Sequence, residues 1–369
     1  MDIKKIWILL ALIPLIFGIL DKSAYAESAA DYGTEQIAEA VPDDAREQLE
    51  SGGITPDNSG ALGLTFGGVL SGIWDMFCDK AAAPLRMLCS LAAVVLFCAL
   101  ARSFTETGNL KGVFSVVGVL CGAGIVAAQM NSLLNETLGT LSAAANFTLV
   151  FVPILAGIAA VLGYVTSATA VNSAVLAATQ LFSQLAVNFL APLCGAVLGM
   201  SVAGAVNTEF KLDKLGEMVK KFVVWGLSLI MTVFVSVLST QTLVSASADN
   251  AAIKTAKFAV SQGVPIVGGT ISDAVNTLSG GLSMLKGSVG SYGLIAATAI
   301  ILPTLITLFA YQIALACSEA LAEMFALKEL SALFKSCRSI MTIIIAVTFC
   351  FLVLNTVAAL MMFAATHGN

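Results

Sequence analysis

Three amides share one helical stripe in an otherwise apolar run: Gln180, Gln184 and Asn188 stand at i, i+4 and i+8. An amide without a partner in hydrocarbon is costly, so such a stripe must face other helices or water. Two readings stay open, interhelical hydrogen bonding or the lining of a polar pathway. A second group lies in the polar, glycine-rich stretch 249–293, which carries Asp249, Lys254, Lys257, Asp273 and Lys286. Pro265, Gly268, Gly269 and further glycines punctuate it. That punctuation predicts short broken helices, either an external subdomain on the membrane surface or re-entrant half-helices along a passage. Ionisable groups at a membrane edge usually have a functional reason to be there.

Bond-making chemistry finds little to work with. The single histidine is His367, so neither a His-based triad nor a His-rich metal site can be assembled. There is no GxxxxGK[ST] phosphate loop, and the glycines near Gly281 and Gly287 lack the strand that a nucleotide loop needs. The eight cysteines are scattered singly with no CxxC pair, mostly within apolar runs, and read as small packing hydrophobes. The expectation is a non-enzymatic protein without cofactor or metal.

Composition names the solvent that must position these groups. Hydrophobic residues make up 58% of the 369 positions and charged residues only 11%, against roughly 25% charge in a soluble domain. Mean hydropathy is +0.94. This predicts an all-α, polytopic membrane protein with about seven spans, within a range of about six to eight. No basic tract points to nucleic acid.

Taken in order, residues 1–26 read as a cleavable signal peptide: Lys4 and Lys5, an apolar core from Ile6 to Leu20, then Ala24-Tyr25-Ala26. Residues 27–62 form an extracytoplasmic acidic arm with short helices, such as DDAREQLE after Pro42. Residues 63–80 form an amphipathic helix at the interface, anchored by Trp74. A transmembrane bundle over 81–244 precedes the glycine-rich central segment 245–293, and 294–369 completes the membrane region with an amphipathic helix at 318–336. Small-xxx-small pairs at Gly118/Gly122 and Gly195/Gly199 favour close helix packing.

Seven apolar runs are candidate spans: Ala81–Ala101, Gly112–Met130, Ala143–Val165, Val171–Val206, Phe222–Val244, Tyr292–Cys317 and Ile340–Ala365. Seven simple crossings from an external residue 27 would leave Lys211, Lys214, Lys220, Lys221, Lys328, Lys335 and Arg338 outside, against the positive-inside rule. If the long fourth run, with Pro192 inside it, crosses twice or only half-inserts, those charges return to the cytoplasm. The central segment is then external or dips into the bilayer from that side.

The central stretch also carries a resemblance. K-x-A-x-x-x-G-V-P-I-V-G-G-x-I-S-D-A-V-x-T, followed by L-K-G-S-V-G-x-x-G, resembles the signature region of the stage III sporulation protein AE family. VPDDAREQLE before a Gly-Ile turn and AEMFALKELSALFKSC before the last run agree with it. The resemblance implies a polytopic subunit of a channel-like or secretion-like assembly linking mother cell and forespore. It implies as partners the other subunits of that complex, a separate ATPase among them, besides the lipid bilayer. It also implies a location in the mother-cell membrane around the forespore and a role in late forespore sigma-factor activity, with no catalytic residues to carry over. A stand-alone secondary transporter built on broken helices is the alternative from a different class. A scaffold that only recruits other subunits is a third reading.

Overall fold

The computed structural model of the protein describes residues 34–51, 54, 66–104, 108–206, 213–263 and 268–365, and all secondary structure among them is helical. The elements are α1 (Thr34–Glu39), α2 (Asp43–Ser51), α3 (Phe66–Lys80), α4 (Ala82–Phe104), α5 (Gly108–Val161) and α6 (Val165–Leu185). A π-turn (Ala186–Leu190) then leads into α7 (Ala191–Val206), followed by α8 (Asp213–Gly263), α9 (Gly268–Met324) and α10 (Lys328–Ala365). The signal peptide expected at 1–26 lies outside the described residues.

Helix α10 is the hub, packing on α5, α6, α7, α8 and α9. Its residues Leu330, Leu333, Phe334, Cys337, Ile340, Met341 and Ile344 are fully enclosed. The most apolar windows of α9 and α10 are 72% and 67% buried, whereas that of α8 is only 11% buried. Helix α8 is therefore an outer helix whose apolar side chains, Trp225 and Leu229 among them, point away from the chain. The acidic arm is docked: Ile37, Val41, Ala45 and Leu49 form a buried stripe, and Arg46 donates to the carbonyls of Ala38 (2.8 Å) and Val41 (3.2 Å). Its carboxylates at Glu35, Glu39, Asp43, Asp44 and Glu47 stay exposed.

Six helical stretches among the described residues are long and apolar enough to cross a membrane. The difference from seven runs arises in α5. The second and third runs were expected as separate spans, yet they are one helix of 54 residues, about 80 Å long at 1.5 Å per residue. The polar piece between the runs does not turn because the helical period continues through it. Met130, Leu133, Leu134, Thr137, Leu141 and Ala144 are buried while Asn131, Asn135 and Glu136 face outward. The fourth run, in contrast, does not cross twice. It belongs to a helical stretch from Val165 to Val206 whose π-turn ends just before Pro192. Proline cannot donate to the carbonyl four residues back, and a wide turn is a usual way to absorb that loss.

Two further expectations change. The central segment is not broken into short pieces: α8 runs helically to Gly263 and α9 resumes at Gly268. Nor is 318–336 one amphipathic helix, because α9 ends at Met324 and α10 begins at Lys328. Within that stretch Leu330, Leu333 and Phe334 are core residues, while Met324 and Phe325 remain exposed.

The α5–α6 and α9–α10 turns share one hydrogen-bond pattern. Tyr164 N–H donates to Ala159 O (3.1 Å) and Gly163 N–H to Ala160 O (2.9 Å). Leu327 N–H donates to Ala322 O (2.9 Å) and Ala326 N–H to Glu323 O (2.9 Å). Both are Schellman endings, which need a left-handed residue just past the helix. Gly163 has φ 95° and Ala326 has φ 55°. Close approach matters elsewhere: a Cβ on Gly118 would strike the Cys98 sulfur, and one on Gly293 would enter the Phe151 ring. Since an L-residue at positive φ costs about 1–2 kcal/mol, Ala326→Gly should be neutral or stabilising by up to about 1 kcal/mol. Ala326→Val should destabilise, because a β-branched residue is a worse fit there. Thermal unfolding midpoints in detergent will show whether the two shifts have opposite signs.

Candidate functional site

The sequence-chosen residues separate into an interhelical clamp and an exposed ridge. Asp249, on the upper part of α8, is buried, and its carboxylate reaches the first turn of α6. Oδ1 accepts the Thr166 N–H at 3.0 Å and Oδ2 accepts the Ser167 N–H at 2.7 Å. The first N–H groups of a helix have no intrahelical acceptor, and the residue preceding α6, Tyr164, supplies no side-chain cap. A carboxylate from another helix fills that role and also meets the positive end of the helix dipole. Asp249 thus acts as an interhelical cap.

The helix capped in this way carries the amide stripe. Gln180, Gln184 and Asn188 are all exposed, on the side of α6 opposite its buried Val171, Val175, Ala178 and Phe182. Asn188 lies in the π-turn and donates from Nδ2 to Gln184 Oε1 at 2.9 Å. Gln180 has no hydrogen-bond partner among the described residues. The stripe therefore does not bind helices of one chain together.

Of the other residues chosen from the sequence, Lys254 is exposed near the end of α8, and Lys257 lies on the same helix. Pro265 lies outside the described residues. Gly268, Gly269, Asp273 and Lys286 fall on α9, and the side chains of Lys257, Asp273 and Lys286 also lie outside the described residues.

Sequence reading passed over a second polar group halfway along the bundle. Tyr311 of α9 donates to Gln129 Oε1 of α5 at 3.1 Å, with Arg86 of α4 and Glu136 of α5 within electrostatic reach of the ring. Arg86 and Glu136 are exposed. The available signal was the helical period through residues 131–142; read as an interspan loop, that piece gave Glu136 no reason to lie on a packed helix.

Neutral ties hold the inner helices together: Thr148 donates to Asn355 Oδ1 (2.6 Å), and the hydroxyls of Thr140 and Thr304 pair at 2.7 Å. Charges gather at the end of the bundle that holds the α9–α10 turn. There Arg102 donates to Ala326 O (3.2 Å), Lys335 pairs with Glu217 (3.2 Å), and Arg338 pairs with Glu319. No group of three or more potential metal ligands occurs among the described residues. The space between Phe151, Gly293 and Asn355 is about 10 Å³, room for a single water at most.

A helical bundle with apolar outer faces, an exposed amide stripe and exposed charges at Arg86 and Glu136 is thus in place, and comparison with known proteins assigns it. The family model for stage III sporulation protein AE matches residues 54–366. The chain belongs to that family. Among curated proteins it is 23% identical over 318 residues to the stage III sporulation protein AE of Bacillus subtilis (strain 168), covering 78% of this chain and 79% of that protein. No solved structure matches. A sporulation role and a multi-pass membrane architecture follow for this family member.

Removing the clamp leaves the buried Ser167 N–H without an acceptor, at about 1–3 kcal/mol, and frees the exposed Thr166 N–H to water. Asp249→Ala should therefore lower the unfolding midpoint in detergent clearly, and Asp249→Asn, which keeps one amide oxygen, should lower it less. Limited proteolysis should show faster cleavage at the Leu162–Tyr164 turn in Asp249→Ala alone.

Proposed function

We propose that this chain is a non-enzymatic, multi-pass subunit of a stage III sporulation channel or secretion-like complex. It sits in the mother-cell membrane facing the forespore and supports late forespore sigma-factor activity. The exposed polar groups at mid-bundle carry this reading: Arg86, Asn135 and Glu136 on one pair of helices, and Gln180, Gln184 and Asn188 on another. Ionisable and amide side chains at bilayer depth face partners or water, not lipid. A chain that leaves them exposed is completed by other subunits or by an aqueous passage. Energy would come from a separate ATPase subunit.

The helix count supports the orientation. Six crossings starting from an external acidic arm bring the α4–α5, α7–α8 and α9–α10 connections to the cytoplasm. Arg102, Lys220, Lys221, Lys328, Lys335 and Arg338 then lie inside, as the positive-inside rule asks. The parity that a doubled fourth run would have supplied comes instead from the fusion of the second and third. The α5–α6 turn, Asp249 and the outer ends of α8 and α9 then face the forespore, where partner subunits would be met. The stand-alone transporter is less well supported, since the described helices that would have to break for it are continuous and the described groove of about 260 Å³, between α4 and α5, is lined by apolar residues.

Glu136→Gln and Arg86→Gln, made separately, should each reduce heat-resistant spore counts at least about tenfold while membrane protein levels hold. Unchanged sporulation in both would remove the mid-bundle pair from the function. Single-cysteine labelling should modify Lys254→Cys but not Lys328→Cys from outside, and the reverse pattern would invert the orientation. Ion-driven solute uptake by the purified chain in liposomes would favour the transporter.

A further inference from the structure

The outer face of α8 carries a second polar ladder, not anticipated in the sequence reading. Ser228, Thr232, Ser236 and Thr240 recur every four residues and are all exposed. Each hydroxyl donates its proton to the carbonyl four residues back, at 2.7–2.9 Å. The hydroxyl oxygens keep their lone pairs, so the ladder offers acceptors. The amide ladder of α6 offers the matching donors: Gln180, Gln184 and Asn188 each carry two N–H bonds, and only one of these six is engaged, in the Asn188–Gln184 contact.

The two ladders are in register. Helices α6 and α8 pack together in opposite directions and are pinned at one level by the Ser167–Asp249 bond. Gln180, Gln184 and Asn188 lie 13, 17 and 21 residues after Ser167, and Ser236, Thr232 and Ser228 lie 13, 17 and 21 residues before Asp249. At a common rise per residue, Gln180 shares a depth with Ser236, Gln184 with Thr232 and Asn188 with Ser228. Within one chain these pairs do not form, because each ladder points away from its own helix's buried face. Val171, Val175 and Phe182 face inward on α6, and Leu227, Leu238 and Thr242 face inward on α8.

We propose that the α6–α8 face is a self-association seam, in which the amide ladder of α6 in one copy donates to the hydroxyl ladder of α8 in a second copy. Copies related by an axis along the membrane normal keep every residue at its own depth, so only ladders that match in depth can meet. A lipid-facing surface requires no such match. Neither ladder needs water or a charged partner for satisfaction once the copies are joined. Exposed Leu181, Val187 and Phe189 beside the amides, and Leu229, Val233 and Val237 beside the hydroxyls, supply the apolar packing around the polar pairs.

The seam is tested in native membranes with two differently tagged full-length chains made together, each carrying one new cysteine at an exposed position. Mild oxidation should join Gln184→Cys on one tag to Thr232→Cys on the other, and Gln180→Cys to Ser236→Cys. In each case the 38.0 kDa chain should shift to a doubly tagged species of twice that mass. Gln180→Cys with Ser228→Cys, whose positions differ in depth by about 12 Å, should give no such species, and the unaltered chain sets the background from its own exposed cysteines. Equal yields from matched and mismatched pairs, no doubly tagged species from either matched pair, or trapping of the ladder cysteines only by a different polypeptide would each overturn the proposal. These outcomes are separate from the spore counts of the Glu136 and Arg86 variants, which test the subunit's function whatever its self-association.

Discussion

A single buried carboxylate sets the geometry of the outer layer. Asp249 has no acceptor role to play within its own helix, and its two oxygens close the first turn of a helix that starts 84 positions earlier. In water the free N–H groups of that turn would be solvated at little cost. The Ser167 N–H is buried in the packed bundle and has no such recourse, so the carboxylate holds the start of α6 against α8. Because the contact joins one end of α6 to one level of α8, it also determines which residues of the two helices share a depth. The amide and hydroxyl ladders inherit their register from it.

Inside this layer the fold is held by packing and neutral hydrogen bonds. Helix α10 is enclosed by five others, and glycines at positions 118 and 293 let Cys98 and Phe151 come against their backbones. The cross-helix ties of the interior are hydroxyl and amide contacts, Thr140 to Thr304 and Thr148 to Asn355. The described ion pairs that join different helices, Lys335 with Glu217 and Arg338 with Glu319, lie instead near the α9–α10 turn. This division follows from the cost of desolvating charge, which a hydroxyl pair avoids. Arg86 and Glu136 stand apart from that cluster, both exposed and beside the Tyr311–Gln129 contact.

Function follows from what the chain leaves unfinished. The amides Gln180, Gln184 and Asn188 point outward, and the described groove of about 260 Å³ between α4 and α5 is lined by apolar residues, Phe97 and Val117 among them. The long helices extend the same logic beyond the bilayer. Helix α5, at about 80 Å, is far longer than the roughly 30 Å of hydrocarbon it has to cross, and α8 continues about 20 Å past Asp249. A chain of this shape exposes helical surface well beyond the span of one bilayer.

Much of this was determined by local chemistry and could be read directly. Composition decided the solvent and therefore the helical class, and the spacing of Gln180, Gln184 and Asn188 defined a stripe. The signature around Gly263–Gly269 carried the family. What the sequence left undecided depended on contacts between distant residues. Ala326 adopts a left-handed turn without a glycine to announce it, because the packing of α9 against α10 and the Arg102 hydrogen bond hold it there. Residues 131–142 look like a loop by hydropathy, and only the buried face presented to neighbouring helices keeps them helical. The glycines of the central stretch looked like breaks, yet the helices continue to Gly263 and from Gly268, since a glycine costs a helix only about 1 kcal/mol and tertiary packing readily offsets that. Asp249 looked like a membrane-edge charge awaiting a role. Its partners are N–H groups more than 80 residues away, and no local pattern encodes a hydrogen bond across that distance.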